Sequence, residues 1–169
     1  MAESIIFVDE NDIPIGSGTR EEAWVKGIYV RIVRAVLKDE NGRILSQRRS
    51  LDKKSYPNRW TDSASGHVDE GDTYNSAINR ELEEELGLDT ELTFLGKFAS
   101  KDTIDDKTIL EFNAVYEVRV DSSIQLKLQQ SEVSDTKWYE LSELKQLMQE
   151  DPDSFTPGFR ELIARFYNA

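Results

Sequence analysis

Gly66-His67-Val68-Asp69-Glu70-Gly71-Asp72-Thr73-Tyr74-Asn75-Ser76-Ala77-Ile78-Asn79-Arg80-Glu81-Leu82-Glu83-Glu84-Glu85-Leu86-Gly87-Leu88 carries two patterns that conflict. Tyr74, Ile78, Leu82 and Leu86 recur at i+4 with Ala77 beside them, which predicts a helix over 73–86 buried along one apolar stripe. Gly87 stands where a left-handed residue ends a helix. Yet Glu81 and Glu85 fall inside the stripe and Glu84 at its edge, against the pattern of a core-facing helix. Glu81 and Glu85 repel as an i,i+4 pair, and Glu83, Glu84 and Glu85 crowd the end where the helix dipole disfavours anions. Each effect costs roughly a few tenths of a kcal/mol on an exposed helix and more on a buried one. A bound cation relieves the conflict, because carboxylates at i, i+3 and i+4 share one side and Mg²⁺ takes oxygen ligands. A solvated Glu-rich helix that skims the core fits the same pattern, so the helix alone leaves both readings open.

On the N-terminal side of this stretch, Ser4–Asp9 and Ile13–Gly16 flank the polar turn Glu10-Asn11-Asp12 and read as a hairpin. Arg20–Lys26 suits a short helix. Tyr29–Leu37 and Arg43–Gln47 flank Asn41-Gly42, a strong hairpin signal. Leu51–Arg59 is a basic, proline-containing loop, and Trp60–Val68 reads as strand and turn. Beyond the helix, Glu91–Ser100 and Thr108–Val120 read as long strands and Thr136–Tyr139 as a short one, with Trp138 assigned to the core. Leu141–Gln149 and Pro157–Tyr167 are amphipathic, with Pro157 suited to a first helical turn. Strands interleaved with helices predict an α/β fold, a mixed sheet packed between helices. No linker divides the 169 residues, which fit a single domain, 1–169, with residues 1–27 as a hairpin extension.

Composition narrows the chemistry. The chain has no cysteine, which excludes thiolate ligands, disulfides and a Cys nucleophile, and one histidine, His67, which excludes a site that needs two. A formal charge of −12 repels nucleic acid and anionic lipid. No signal peptide or long apolar run stands out, so the expected setting is the cytoplasm, with neither membrane nor nucleic acid as partner. An acidic protein can still act on phosphates when a cation mediates the contact.

Residues 66–88 resemble the Nudix signature G-x5-E-x7-R-E-U-x-E-E-x-G-U, where U is a bulky aliphatic residue. Every fixed position matches except Asp72, which stands in place of Glu. More loosely, Phe7–Gly16, Gln47-Arg48-Arg49, Lys53-Lys54, Tyr56–Thr61, Glu132-Val133 before Trp138, and Phe155-Thr156-Pro157 are similar to the isopentenyl-diphosphate-isomerase-like branch of that family. The resemblance implies a Nudix-type α-β-α sandwich and an Mg²⁺-dependent hydrolase, with Mn²⁺ as the alternative ion, that cleaves the phosphoanhydride bond of a small diphosphate substrate. It implies Glu81, Glu84 and Glu85 as metal ligands, with the Gly66 carbonyl approaching the metal and Glu111 as a further metal-binding residue. Arg80 orients a motif carboxylate. Glu81 is the first choice of general base, with Glu111 and Glu132 as downstream candidates. Arg49 and Lys53 resemble residues that hold a diphosphate, and His67 is expected to form hydrogen bonds rather than ligate. Trp24, Tyr56, Trp60 and Phe98 could stack on a base, although packing roles suit each of them better. Isomerases of that branch carry a Cys just before the Gly-His pair, where Ser65 stands here, and further ligating histidines, whereas Val30 and its neighbours occupy that region here. These departures favour hydrolysis over isomerisation. A non-catalytic nucleotide-binding module is the other alternative. The oligomeric state stays open, a homodimer included.

Overall fold

In the computed structural model, which describes residues 4–168, nine strands join in one mixed sheet. The chain order is β1 (Ile5–Val8), β2 (Pro14–Gly18), α1 (Arg20–Lys26), β3 (Tyr29–Lys38), β4 (Ile44–Arg49), β5 (Trp60–Thr61), β6 (Ala64–His67), α2 (Tyr74–Leu86), β7 (Thr93–Ile104), β8 (Lys107–Arg119), β9 (Val133–Tyr139), α3 (Leu141–Glu150) and α4 (Pro157–Phe166). β3 is central: it pairs parallel with β8 from Tyr29↔Leu110 to Lys38↔Arg119, and antiparallel with β1, β4 and β6. β7 lies outside β8, and β9 pairs with β4.

The period of a strand sorts β3 between two cores. Val33, Ala35 and Leu37 face α2, where Ala77, Ile78, Leu82 and Leu86 complete one apolar layer. Val36 faces the other way, into a layer made with Leu144 and Met148 of α3 and Phe159, Leu162 and Ile163 of α4. Helices therefore cover both faces of the sheet, as the interleaved pattern predicts. The N-terminal hairpin and α1 form a third patch, in which Ile5, Phe7 and Ala23 pack on Val30 and Ile32.

Several boundaries differ from the sequence reading. β7 and β8 run four residues past Ser100 and begin one before Thr108, meeting at the turn Asp105-Asp106. The Asp and Lys residues there hide the strand from a hydrophobic pattern, while cross-strand backbone bonding sustains it. β9 begins at Val133 because the paired β4 supplies partners as far as Arg49. Trp138 is half-buried at the margin of the α2 layer rather than inside it. Pro157 occupies the first turn of α4, behind a Thr156 cap.

Candidate active site

β6 and α2 build the site between them. Thr73 caps α2: its hydroxyl accepts from the Ser76 N–H (3.1 Å), and its own N–H donates to Ser76 Oγ (2.9 Å). Gly87 closes the far end at φ +69°. Fixed at both ends, α2 lays its apolar stripe on β3 and thereby presses Glu81 and Glu85 towards β6.

Gly66 receives Glu81. A Cβ on Gly66 would overlap the carboxyl carbon and Oε1 of Glu81, so only glycine leaves room for that carboxylate against the strand. Arg80 Nη1 donates to Glu81 Oε1 (2.9 Å), and Arg80 Nη2 donates to Asp72 Oδ2 (3.0 Å) and to the His67 carbonyl (3.4 Å). Asp69 lies 3.3 Å from the same nitrogen. Asp72, the one departure from the signature, is thus a partner of Arg80. Burial pushes the Glu81 carboxyl up to about 7, against the pull of Arg80 and with help from Glu84 and Glu132.

The three helix carboxylates do not share one environment. Glu81 and Glu84 line an open cavity together with Glu132, Lys53 and Arg80. Glu85 is buried and turned inward, where Oε1 accepts from the Ser65 N–H (2.9 Å) and from Gln47 Nε2 (3.3 Å). Burial and then Glu81 hold it well above the usual carboxylate range. Among the described residues, no three Asp, Glu or His side chains are gathered as a ready metal cluster. The donor set nevertheless suits Mg²⁺: it is hard, oxygen-only and charge-crowded, and Gly66 leaves room for the Glu81 carboxylate against the strand.

A second cavity adjoins the first and shares Arg20, Lys53, Ser65, Gly66 and His67 with it. Arg49 and Glu111 line this second space, not the Glu81 pocket. Burial raises the Glu111 carboxyl while Arg34, 3.8 Å away, opposes the rise. Lys53 pairs with Glu132 at the junction. Arg49 is held by its own loop, donating to the Ser55 carbonyl (2.9 Å) and hydroxyl (3.2 Å). His67 Nε2 is buried with no partner among the described residues. Burial and the nearby Arg20, Lys53, Arg34 and Arg49 push it down to about 3, so it is neutral at pH 7. Of the four aromatic candidates, Trp24 and Tyr56 line this cavity, whereas Phe98 lies in the core and Trp60 packs against it.

The sequence reading passed over Arg34. Arg34 Nε donates to Asn113 Oδ1 (2.9 Å), and Nη1 donates to Asp62 Oδ1 (3.0 Å), all buried. Its guanidinium lies against Gly158 at the start of α4, where a Cβ would overlap it. A cation inside the apolar run Tyr29–Lys38 was the available signal. Gln47 and the Ser65 N–H, which hold Glu85, gave none, because neither residue type is unusual in a strand.

Comparison with known proteins agrees with this architecture. The NUDIX domain family model matches residues 28–162. The chain is 32% identical over 164 residues to isopentenyl-diphosphate Delta-isomerase 2 of Photorhabdus laumondii, covering 96% of this chain and 92% of that one. It is 36% identical over 138 residues to an uncharacterized Nudix hydrolase of Pseudomonas aeruginosa, covering 81% and 78%. The crystal structure of DR0079 from Deinococcus radiodurans superposes with a TM-score of 0.82 at 26% identity, covering 98% of this chain and 99% of that chain. The NUDIX domain of Shewanella oneidensis NrtR, solved with ADP ribose, shares the fold at a TM-score of 0.65 and 18% identity, over 83% and 87%. With helices on both faces of a mixed sheet and the Gly66–Leu88 stretch spanning β6 and α2, the chain belongs to the Nudix family.

Proposed function

We propose that the protein is a cytoplasmic, Mg²⁺-dependent hydrolase that cleaves the phosphoanhydride bond of a small diphosphate substrate. The observation that carries this reading is the seat of Glu81 over Gly66 beside Glu84, in an open cavity rich in oxygen donors. Glu81, Glu84, Glu85 and the Gly66 carbonyl would hold the ion, which when bound would neutralise phosphate charge and acidify a water. Glu81 Oε1, oriented by Arg80, is the first choice to accept the proton of the attacking water. Glu132 is the other candidate in the same cavity. Arg49 and Lys53 would hold the phosphates, a planar fork and a mobile ammonium suited to two adjacent anions. Glu111 lines the neighbouring cavity, 3.8 Å from Arg34.

Relatives named as isomerases make isomerisation the second reading. The absence of cysteine and the single histidine disfavour it. A panel of nucleoside diphosphates and triphosphates, nucleotide sugars including ADP-ribose, dinucleotides and isopentenyl diphosphate tests both readings. Release of phosphate or a nucleoside monophosphate should require Mg²⁺, stop with EDTA, and fall about a hundredfold or more in Glu84→Gln. Conversion of isopentenyl diphosphate to its allylic isomer, with no hydrolysis anywhere on the panel, would establish the isomerase reading instead.

A further inference from the structure

Arg20 Nε, Trp24 Nε1, Tyr56 Oη and His67 Nε2 are all buried without a hydrogen-bond partner among the described residues. All four residues line one cavity, the space beside the Glu81 pocket. Buried polar groups are nearly always paired, and leaving one unpaired costs about 1–3 kcal/mol. Several in one cavity therefore call for a common partner. Arg20 and Trp24 can only donate through these atoms, so the partner must offer oxygen acceptors. Trp24 is 8% exposed and held on α1 against β8, and its indole N–H is buried without a partner among the described residues.

The aromatic rings are arranged for edge recognition. The Arg20 guanidinium covers the Trp24 ring at 5.5 Å, and that of Arg59 covers Tyr56 at 5.0 Å. One face of each ring is thus occupied, while the N–H and O–H stay unpaired. Tyr56 sits at φ +48°, a left-handed conformation that costs a bulky residue about 1–3 kcal/mol and recurs at ligand clamps. A hydrocarbon tail would suit this cavity badly: it would leave Arg20 Nε, Trp24 Nε1, Tyr56 Oη and His67 Nε2 without a partner.

We propose that Trp24 and Tyr56, with Arg20 beside them, recognise the oxygen atoms of the group that the substrate carries beyond its diphosphate. That group is either a sugar with free hydroxyls or a further phosphoryl group, not a hydrocarbon chain. The inference rests on the diphosphate reading, because Lys53, Ser65 and Gly66 are common to both cavities. Arg20 and Trp24 lie on α1, which precedes the segment matched by the family model, whereas Tyr56 lies within it.

Isothermal calorimetry on the full chain in EDTA tests the proposal without turnover. The probes are ADP-ribose, tripolyphosphate, inorganic pyrophosphate and isopentenyl diphosphate, and the variants are Trp24→Phe and Tyr56→Phe. Each variant should bind ADP-ribose or tripolyphosphate roughly tenfold more weakly, the loss of about one hydrogen bond. Pyrophosphate and isopentenyl diphosphate should bind to variants and wild type alike. Dependence on ADP-ribose alone names the sugar hydroxyls, and dependence on tripolyphosphate alone names the phosphoryl group. The proposal is overturned if the variants match the wild type on both longer probes, if the wild type binds neither, or if isopentenyl diphosphate weakens equally. Circular dichroism confirms that the variants are folded. Lack of Mg²⁺-dependent hydrolysis alongside intact, Trp24-dependent binding would instead count against the hydrolase reading alone.

Discussion

At Gly66 the missing side chain is filled by another residue's carboxylate. Gly66→Ala must move Glu81 or the strand, because the added methyl group overlaps the carboxyl carbon. Displacement of a reacting group by about an ångström costs on the order of a hundredfold in rate. Turnover of whichever diphosphate the panel identifies should drop by that order, with the protein still folded by circular dichroism. Asp12 offers a contrasting case, a carboxylate used purely for stability. It accepts from Arg31 Nε (2.7 Å), Tyr74 Oη (2.8 Å) and Lys97 Nζ (2.5 Å), tying the hairpin turn to β3, α2 and β7. Burial opposes its ionisation, but Lys97, Arg31 and Tyr74 outweigh burial and hold it below its ordinary value. A depressed carboxyl contributes stability that is complete above its unfolded pKa, about 3.9, and fades as pH falls through the folded value. Asp12→Asn keeps a residue that tolerates the local φ of +63° while removing the charge. Urea denaturation at pH 7 should show a loss of roughly 2 kcal/mol. The gap between variant and wild type should narrow below about pH 4. Nothing in Glu10-Asn11-Asp12 marks the third residue as this hub; its partners lie 19, 62 and 85 residues away.

Among the elements, α2 must be rigid enough to aim carboxylates that weaken it. Its first turn has no acidic residue and its last turn no basic one, so the dipole gains no compensation at either end. The Thr73–Ser76 box and the Gly87 cap supply what charge does not. Thr73→Ala should cost about 1 kcal/mol in urea midpoint measurements, with activity nearly unchanged, since Thr73 lines neither cavity. The helix, its Gly87 end and its apolar face were legible in the sequence, because periodicity and capping are local, whereas Thr73 read as a helical residue and is the cap. The division of labour among its carboxylates was not. Glu81 and Glu85 look alike on a helical wheel, yet β6 offers one of them a glycine and the other a backbone N–H.

Across the whole molecule, residues 4–27 act as part of the body rather than as an appendage. Phe7 and Ala23 cover Val30 and Ile32, and Asp12 neutralises Arg31 and Lys97. A chain starting at Ile28 would expose that apolar patch and orphan two cations in a protein already carrying a formal charge of −12. Its thermal midpoint should fall by about 10 °C or more in scanning calorimetry. It should also lose the dependence of ligand binding on Trp24, which leaves with α1. A truncated chain as stable as the full one would show that the hairpin is ornamental.

By itself the sequence determined the order of elements, the mixed α/β class, the capped helix of α2 and the residue types available for chemistry. Those follow from periods of two and 3.6, from turn residues and from composition, all properties of neighbours along the chain. Only the tertiary structure decided which carboxylates face open space, that Glu111 sits with Arg34 rather than with Glu81, and that α1 carries Trp24 to the same cavity as Tyr56. Those outcomes depend on the register of β3 against β6 and β8, where contacts such as Arg34 with Asn113 span 79 residues. A strand's side-chain identities fix which face is apolar, but the partner's register fixes which polar groups meet across it.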